Sequence, residues 1–529
     1  MSKTRSQIKS LQSWFETHVS DEGKPYLLDP HQSAIVLDNH KNCLVTARAG
    51  SGKTRTLVAK IVYLLAHENI KPDEIIVFAF NRKAALEINA RLEKITIDGQ
   101  TLLEDPRAIA TTFHSFAYRL VDDGTLSTRL VDETDEEKII TACVNKLVDE
   151  YYAEEVKKAL EKGRQPKKSP SKNRRAHLIN EASDFISFAE QRYFENYGEL
   201  ENLFDKKSKS YIYYRALNGL HNYLDAKHQV NFNRLLLESC EYLKNRKMPY
   251  RYIFIDEYQD FSLLFLKLIT ALRATCPDAK MTTVGDDWQA INGFAGSNVC
   301  YFKHFEKYFP EDYVKLFIPN NYRSGPRIVK NANYFMASSF HDYNDCQSKN
   351  SIDSHFFIVN SHRIWLTNEE RALDIPFSVI LAAHAISVIS KRHQNKTIKI
   401  LARNNCLKHG WPLDRFMEFA LNRVDDPGRF SSSTIHKSKG LEADIVILLE
   451  IDAGVFPKKT PKNNIKYILS DRPEDLLDEE KRLFYVAMTR AKESLYIITD
   501  SPPGYLVKKK DAINFLDMLN PDWLEYIRC

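Results

Sequence analysis

The chain contains no CxxC pair and no clustering of histidine with cysteine, its eight cysteines being scattered from Cys43 to Cys529. This excludes the ligand spacing of a structural zinc site and predicts reduced thiols rather than a disulfide framework. Also missing is any uninterrupted apolar stretch long enough to span a bilayer. The opening residues, Met1-Ser2-Lys3-Thr4-Arg5, lead into mixed polar sequence instead of an apolar signal core. An intracellular protein without a membrane anchor is therefore expected. Internal repeats are absent. A formal charge of +5 over 529 residues is too small to identify a partner, so only local charge is informative.

What is present is ordinary globular material. With 43% hydrophobic and 27% charged residues there is enough apolar side chain for sizeable cores and no sign of global disorder. The length exceeds one core and suggests about three to four domains. Short apolar runs recur at Asn42–Thr46, Ile75–Phe80, Tyr252–Ile255, Met281–Val284, Ile398–Ala402, Ile445–Leu449 and Leu495–Thr499. Most are continuous rather than alternating, which suits strands buried on both faces of a parallel sheet. Helical patterns such as Thr54–His67 and Lys83–Lys94 intervene, so the fold class is α/β.

The strands form one set before about residue 290 and another after about residue 395, which predicts two lobes. Residues 130–245 have helical spacing and no convincing strand, and read as a helical insertion. Between 335 and 395 the pattern offers a short strand at Phe356–Val359 and a helix near Val379–Lys391. A basic run including Lys157, Lys162, Arg164, Lys167, Lys168, Lys172, Arg174 and Arg175 is either a solvated loop or a contact for a phosphate backbone.

Two local strings carry chemistry. The segment Ala47-Arg48-Ala49-Gly50-Ser51-Gly52-Lys53-Thr54 follows an apolar run and precedes a helical pattern. A glycine-rich turn there lets backbone N–H groups close around phosphates, while Lys53 neutralises them and the Thr54 hydroxyl reaches a magnesium ion. Alanine stands where the usual pattern has its first glycine, but Gly50-Ser51-Gly52-Lys53-Thr54 is intact. The second string, Tyr252-Ile253-Phe254-Ile255-Asp256-Glu257, is an apolar strand ending in two carboxylates. It places them at the carboxyl edge of a sheet, where open α/β folds bind ligands. In that setting Asp256 suits magnesium, and Glu257 suits orienting and deprotonating an attacking water.

From Leu28 to about Thr499 the chain resembles the superfamily 1 DNA helicases of the UvrD/Rep type, and within them the helicase IV branch. The blocks stand in the family's order: Leu28-Asp29-Pro30-His31-Gln32, the phosphate loop, Phe78-Ala79-Phe80-Asn81-Arg82-Lys83-Ala84-Ala85, Thr111-Thr112-Phe113-His114, Asp256-Glu257, Val284-Gly285-Asp286-Asp287-Trp288-Gln289-Ala290-Ile291, Asn321-Tyr322-Arg323-Ser324, Thr434-Ile435-His436-Lys437-Ser438-Lys439-Gly440-Leu441-Glu442 and Tyr485-Val486-Ala487-Met488-Thr489-Arg490-Ala491. The block around Gln289 is the one that points to the helicase IV branch.

The resemblance implies two RecA-like lobes, ATP and Mg2+ as cofactors, and translocation 3′ to 5′ on single-stranded DNA. It further implies that Gln32 reads adenine and that Arg55 and Tyr322 sandwich its ring. Ala49, Gly50, Ser51, Gly52, Lys53 and Thr54 would hold the phosphates, with Thr54 and Asp256 on the metal, and Glu442 would bond the ribose. Gln289 would sense the γ-phosphate, with Arg323 and Arg490 as arginine fingers. Phe80, Thr112, Phe113, His114, Phe294 and His436 fall where relatives touch DNA. Its implied division is 1–118 and 230–318 for the first lobe around an insertion at 119–229, then 319–505 for the second lobe with a short insertion near 335–395, and a tail at 506–529. Partners would be single-stranded DNA, single/double-strand junctions and a protein such as a nuclease, in the cytoplasm on the bacterial nucleoid.

Two departures from the family pattern qualify that picture. Asn292 replaces a usual stacking tyrosine and Ala295 a frequent arginine. Loss of one stacking platform is worth about 1–3 kcal/mol, which bears on unwinding more than on hydrolysis. The interval from Arg323 to Thr434 leaves little room for a second-lobe subdomain. A translocase that clears proteins from DNA, or a nucleotide-gated subunit serving a partner, are the alternatives.

Overall fold

The computed structural model describes residues 4–103, 109–122, 124–165, 168–192, 195, 197–202, 204, 206, 211–338, 340, 345–360, 367–371, 373, 375–458, 473–504 and 513–527. Two six-stranded, wholly parallel sheets organise it. In the first, strands β1 (Asn42–Ala47), β2 (Ile75–Ala79), β3 (Ala110–Thr112), β4 (Tyr252–Ile255), β5 (Lys280–Gly285) and β6 (Tyr313–Ile318) take the order β6-β1-β5-β4-β2-β3. In the second, β7 (His355–Asn360), β8 (Ile398–Ala402), β9 (Phe430–Thr434), β10 (Ala443–Leu449), β11 (Ala491–Thr499) and β12 (Glu525–Ile527) take the order β9-β8-β10-β11-β7-β12. The chain is thus α/β with two parallel-sheet lobes.

The central strands are the continuous apolar runs: β2, β4 and β8 are buried at every position. The edges obey a different rule. β6 alternates exposed and half-buried residues over Tyr313 to Leu316 before Ile318 enters the core, and β9 is Phe-Ser-Ser-Ser-Thr with Ser431 and Ser432 exposed. Neither has the apolar run that marks a buried strand, and each exists because an apolar neighbour offers a ladder. The tail expected after residue 506 also folds back. Phe515, Leu516, Leu519 and Leu524 enter the second lobe's core, and β12 pairs with β7. The strand near Phe356 belongs to the second sheet, and the helix Phe377–Arg392 packs its apolar face against that sheet.

Helices Glu133–Glu161, Lys172–Arg192 and Tyr211–Lys227 build a separate core around Val144, Val148, Phe185, Leu217 and Leu220. The described part of the basic run lies at the exposed end of this body, where the first helix stops at Glu161 and the next begins at Lys172. Lys167 lies outside the described residues. Among the described residues, no helix is long and apolar enough to cross a membrane.

Candidate nucleotide site between the lobes

The phosphate loop leaves β1 at Ala47 and enters the helix Lys53–His67 through Gly52, whose φ of 82° lies in the left-handed region. Gly50 is also left-handed, and a Cβ there would strike the Arg323 Cβ at 2.6 Å. The loop's outward carbonyls are satisfied from the other side: Asn321 Nδ2 donates to Ala49 O at 2.7 Å and the Tyr322 N–H to Gly50 O at 2.8 Å. This fixes the loop from behind. The Ala49 N–H donates to the Tyr485 hydroxyl at 3.4 Å and the Ser51 N–H to Arg48 O at 3.1 Å, which leaves the N–H groups of Gly50, Gly52, Lys53 and Thr54 to face an anion.

A cleft of about 440 Å³ collects Ala49 to Arg55, Asp256, Glu257, Gln289, Arg323 and Arg490, together with Phe80, Asn292, His436 and Lys439. Lys53 Nζ stands 3.5 Å from Glu257 Oε1. Glu257 itself follows β4 with φ 53°, a backbone conformation uncommon for a side chain of this size and one that clusters at functional sites. The two adjacent carboxylates are driven apart. Burial, then the Glu257 charge, lifts Asp256 well above the usual carboxylate range. Burial also acts to raise Glu257, but Lys53, Lys439 and a hydrogen bond from Gln259 outweigh it and hold this carboxyl low.

The second lobe supplies cations. Arg323 donates from Nε to Glu442 at 2.6 Å, and Lys492 Nζ approaches the same carboxylate at 2.8 Å. Glu442, expected on a ribose, thus holds an arginine here. Arg490 is buried and donates to Val486 O at 2.8 Å, Leu441 O at 3.2 Å and Gln289 Oε1 at 3.3 Å. Burial and the nearby Arg323 depress its pKa to about 9. Lys439 crosses between the lobes, donating to the Asp260 carboxylate and to Gln289 O.

The remaining nucleotide candidates flank the cleft. Gln32 lies buried behind the loop, its Nε2 donating to Ser51 O at 3.3 Å while Asp29 caps its helix. Tyr322 is exposed and donates to Asp29 Oδ2 at 2.6 Å. Arg55 lies with its guanidinium 3.9 Å from the centre of the Tyr26 ring, so one face is already stacked.

The DNA candidates separate. His436 and Phe80 border the cleft, and Thr112 caps the helix Phe113–Val121 by accepting from the Ser115 N–H at 3.1 Å. Phe113 is a core residue. It is buried between Phe78 and Phe265, with ring centroids 4.7 and 4.1 Å away, so neither face is open to a base. Its truncation in Phe113→Ala is expected to cost about 3–5 kcal/mol of stability, read from the urea midpoint. A stability-neutral loss of DNA affinity would contradict this placement. His114 borders an acidic hollow with Glu136, Glu190 and Phe232, and burial lowers its pKa to about 4. The side chain of Phe294 lies outside the described residues.

A buried ion group escaped the sequence reading. Arg48 Nη1 donates to Asp286 at 2.9 Å and to Asp287 at 2.5 Å, with its guanidinium 3.6 Å from the Trp288 ring centre. It ties the loop before Gly50 to the turn that carries Gln289. The signal for it was an arginine inside a phosphate loop, which local pattern alone cannot pair.

Residues 28–310 match the family model of the UvrD/REP helicase N-terminal domain, and residues 420–501 that of the UvrD-like helicase C-terminal domain. The chain belongs to the UvrD/REP helicase family. It is 28% identical to DNA helicase IV of Escherichia coli (strain K12) over 509 residues, covering 89% of this chain and 68% of that protein. A probable DNA helicase of Mycoplasma pneumoniae is 27% identical over 94% of this chain and 88% of its own. The ATP-dependent DNA helicase Rep of Buchnera aphidicola subsp. Acyrthosiphon pisum is 29% identical over 59% of this chain and 45% of its own length. The family's two domain models thus fall on the two halves of the cleft.

Proposed function

We propose that this ATP-dependent DNA helicase moves 3′ to 5′ along single-stranded DNA by closing its two lobes on ATP and reopening them after hydrolysis. The observation that supports this reading is convergence. Lys53, Asp256 and Glu257 from the first lobe and Arg323 and Arg490 from the second border one cleft. Groups so divided stabilise a phosphoryl transition state only when the lobes are together, which couples chemistry to motion.

The residues present fit a divalent cation. The Oδ1 atom of Asp256 is buried without a hydrogen-bond partner, and Thr54 borders the same cleft. Thr54 and Asp256 would hold Mg2+, which when bound neutralises charge on the terminal phosphates. In the proposed mechanism the loop N–H groups and Lys53 bind those phosphates. Glu257 orients the attacking water and takes its proton. Arg323 and Arg490 stabilise charge on the transferring oxygens, and Gln289 reports phosphate occupancy. Gln32, Arg55 and Tyr322 would hold the base and Glu442 the ribose, while Phe80, Thr112 and His436 serve the DNA path.

We divide the chain into a first lobe (1–118 and 230–318), a helical insertion (119–229) and a second lobe from 319, to which the described C-terminal strand is added. The enzyme would act in the cytoplasm, on single strands and their junctions with duplex. Convergence of both lobes on one cleft favours this motor over a nucleotide-gated subunit serving a partner such as a nuclease.

The test is steady-state ATP hydrolysis with and without single-stranded DNA, followed by strand displacement on substrates tailed at either end. Stimulation by DNA and displacement from the 3′ tail are expected. Hydrolysis indifferent to DNA would sink the motor, and displacement from the 5′ tail would reverse its direction.

A further inference from the structure

Between the carboxylate proposed as base and the turn proposed as phosphate sensor lies a glutamine that neither role uses. Gln259 is buried. Its Oε1 accepts from the Asp286 N–H at 2.9 Å, and its Nε2 donates to Glu257 Oε2. The amide orientation is forced. A backbone N–H can only donate, so the oxygen must face Asp286 and the NH2 must face Glu257. The chain of bonds continues beyond Asp286. Its carboxylate accepts from Gln289 Nε2 at 2.6 Å, and Gln289 Oε1 accepts from Arg490 at 3.3 Å. A hydrogen-bonded path therefore runs from the second lobe to Glu257 through Gln289, the side chain and main-chain N–H of Asp286, and Gln259.

We propose that Gln259 is a positioning residue for hydrolysis: it fixes the Glu257 carboxylate in the orientation that receives the water proton and ties that orientation to the Gln289 turn. This rests on Glu257 acting as the base. The space is tight around it, since a Cβ on Gly285 would lie 2.5 Å from Gln259 Oε1. A shift of the sensor turn is therefore transmitted to the amide rather than absorbed by a gap. Left-handed backbone at Glu257 further limits where the carboxylate can go, and Gln259 selects among the rotamers that remain.

Two variants test it in the full chain. Gln259→Leu removes both bonds. Gln259→Glu keeps the volume and the acceptor for Asp286 but turns a carboxylate, not a donor, towards Glu257. Each is expected to lower kcat for DNA-stimulated hydrolysis about tenfold or more, as loss of an orienting partner does, with KM for ATP unchanged within about twofold. On the Glu257→Gln background the same changes should cost nothing further, because the group they position is gone. A generally damaged fold would instead subtract the same factor again and overturn the inference. So would wild-type turnover by Gln259→Glu when Glu257→Gln is inactive. Wild-type turnover by Glu257→Gln itself would remove the base assignment, and this inference with it.

Discussion

Glu257→Gln is expected to lower DNA-stimulated ATP hydrolysis by roughly 10²–10⁴-fold while nucleotide binding survives. The amide fills the same volume and can still accept from Gln259, so packing beside β4 is preserved. What it cannot do is take a proton. Binding should persist because the groups proposed to contact phosphate lie elsewhere on the same cleft, in the loop at Gly50 to Thr54 and its Lys53. Loss of the negative charge also frees Lys53, which stands 3.5 Å from Glu257 Oε1. ATP affinity should therefore hold or rise. Measured with a fluorescent ATP analogue alongside turnover, the expected pattern is a kcat effect with little change in Kd. Equal losses in both would mean that Glu257 shapes the pocket rather than acting on water.

Much of this site was readable because its main parts are local strings. A phosphate loop is a few consecutive residues between a strand and a helix, and Asp256-Glu257 is a strand end, so a linear pattern contains the geometry. The links between strings are different. Lys439 with Asp260, Arg48 with Asp286 and Gln259 with Asp286 each join distant positions, and nothing in either segment alone selects the partner. The aromatic residues show the same limit. Phe80 and Phe113 both belong to DNA-like blocks, yet one borders the cleft and the other is sealed by Phe265 from a later helix. Burial of this kind is decided by tertiary packing. The edge strands were missed for a related reason. Ser431, Ser432 and Ser433 pair with Lys399, Ile400 and Leu401, so the apolar signal sits in the partner strand.

Removing the second lobe's arginines is expected to be as severe. In Arg323→Ala turnover should fall by about 10³-fold or more, the scale of a lost arginine finger, with a much smaller change in nucleotide affinity. Arg323 is already oriented by Glu442 at 2.6 Å, so its charge is delivered without a rearrangement at the moment of reaction. Arg490 needs a gentler probe. It is buried and satisfies carbonyls at Val486 and Leu441, so truncation would unsettle the fold as well as the chemistry. Arg490→Lys keeps a cation but loses the planar fork that can span a backbone acceptor, Gln289 and a phosphoryl oxygen together. It is therefore expected to fold, bind ATP and fail in turnover. Burial, and then the charge of Arg323 in the same lobe, press on the Arg490 guanidinium and favour an anion beside it. A bound triphosphate would be held by Lys53 from the first lobe and by these two cations from the second, so binding should draw the lobes together in the wild type and less so in Arg323→Ala. Distance labels placed on the two lobes would read this directly: closure on a non-hydrolysable ATP analogue in the wild type, and a reduced change in the variant. Wild-type closure and turnover in Arg323→Ala would show that the second lobe's arginine does not serve the γ-phosphate.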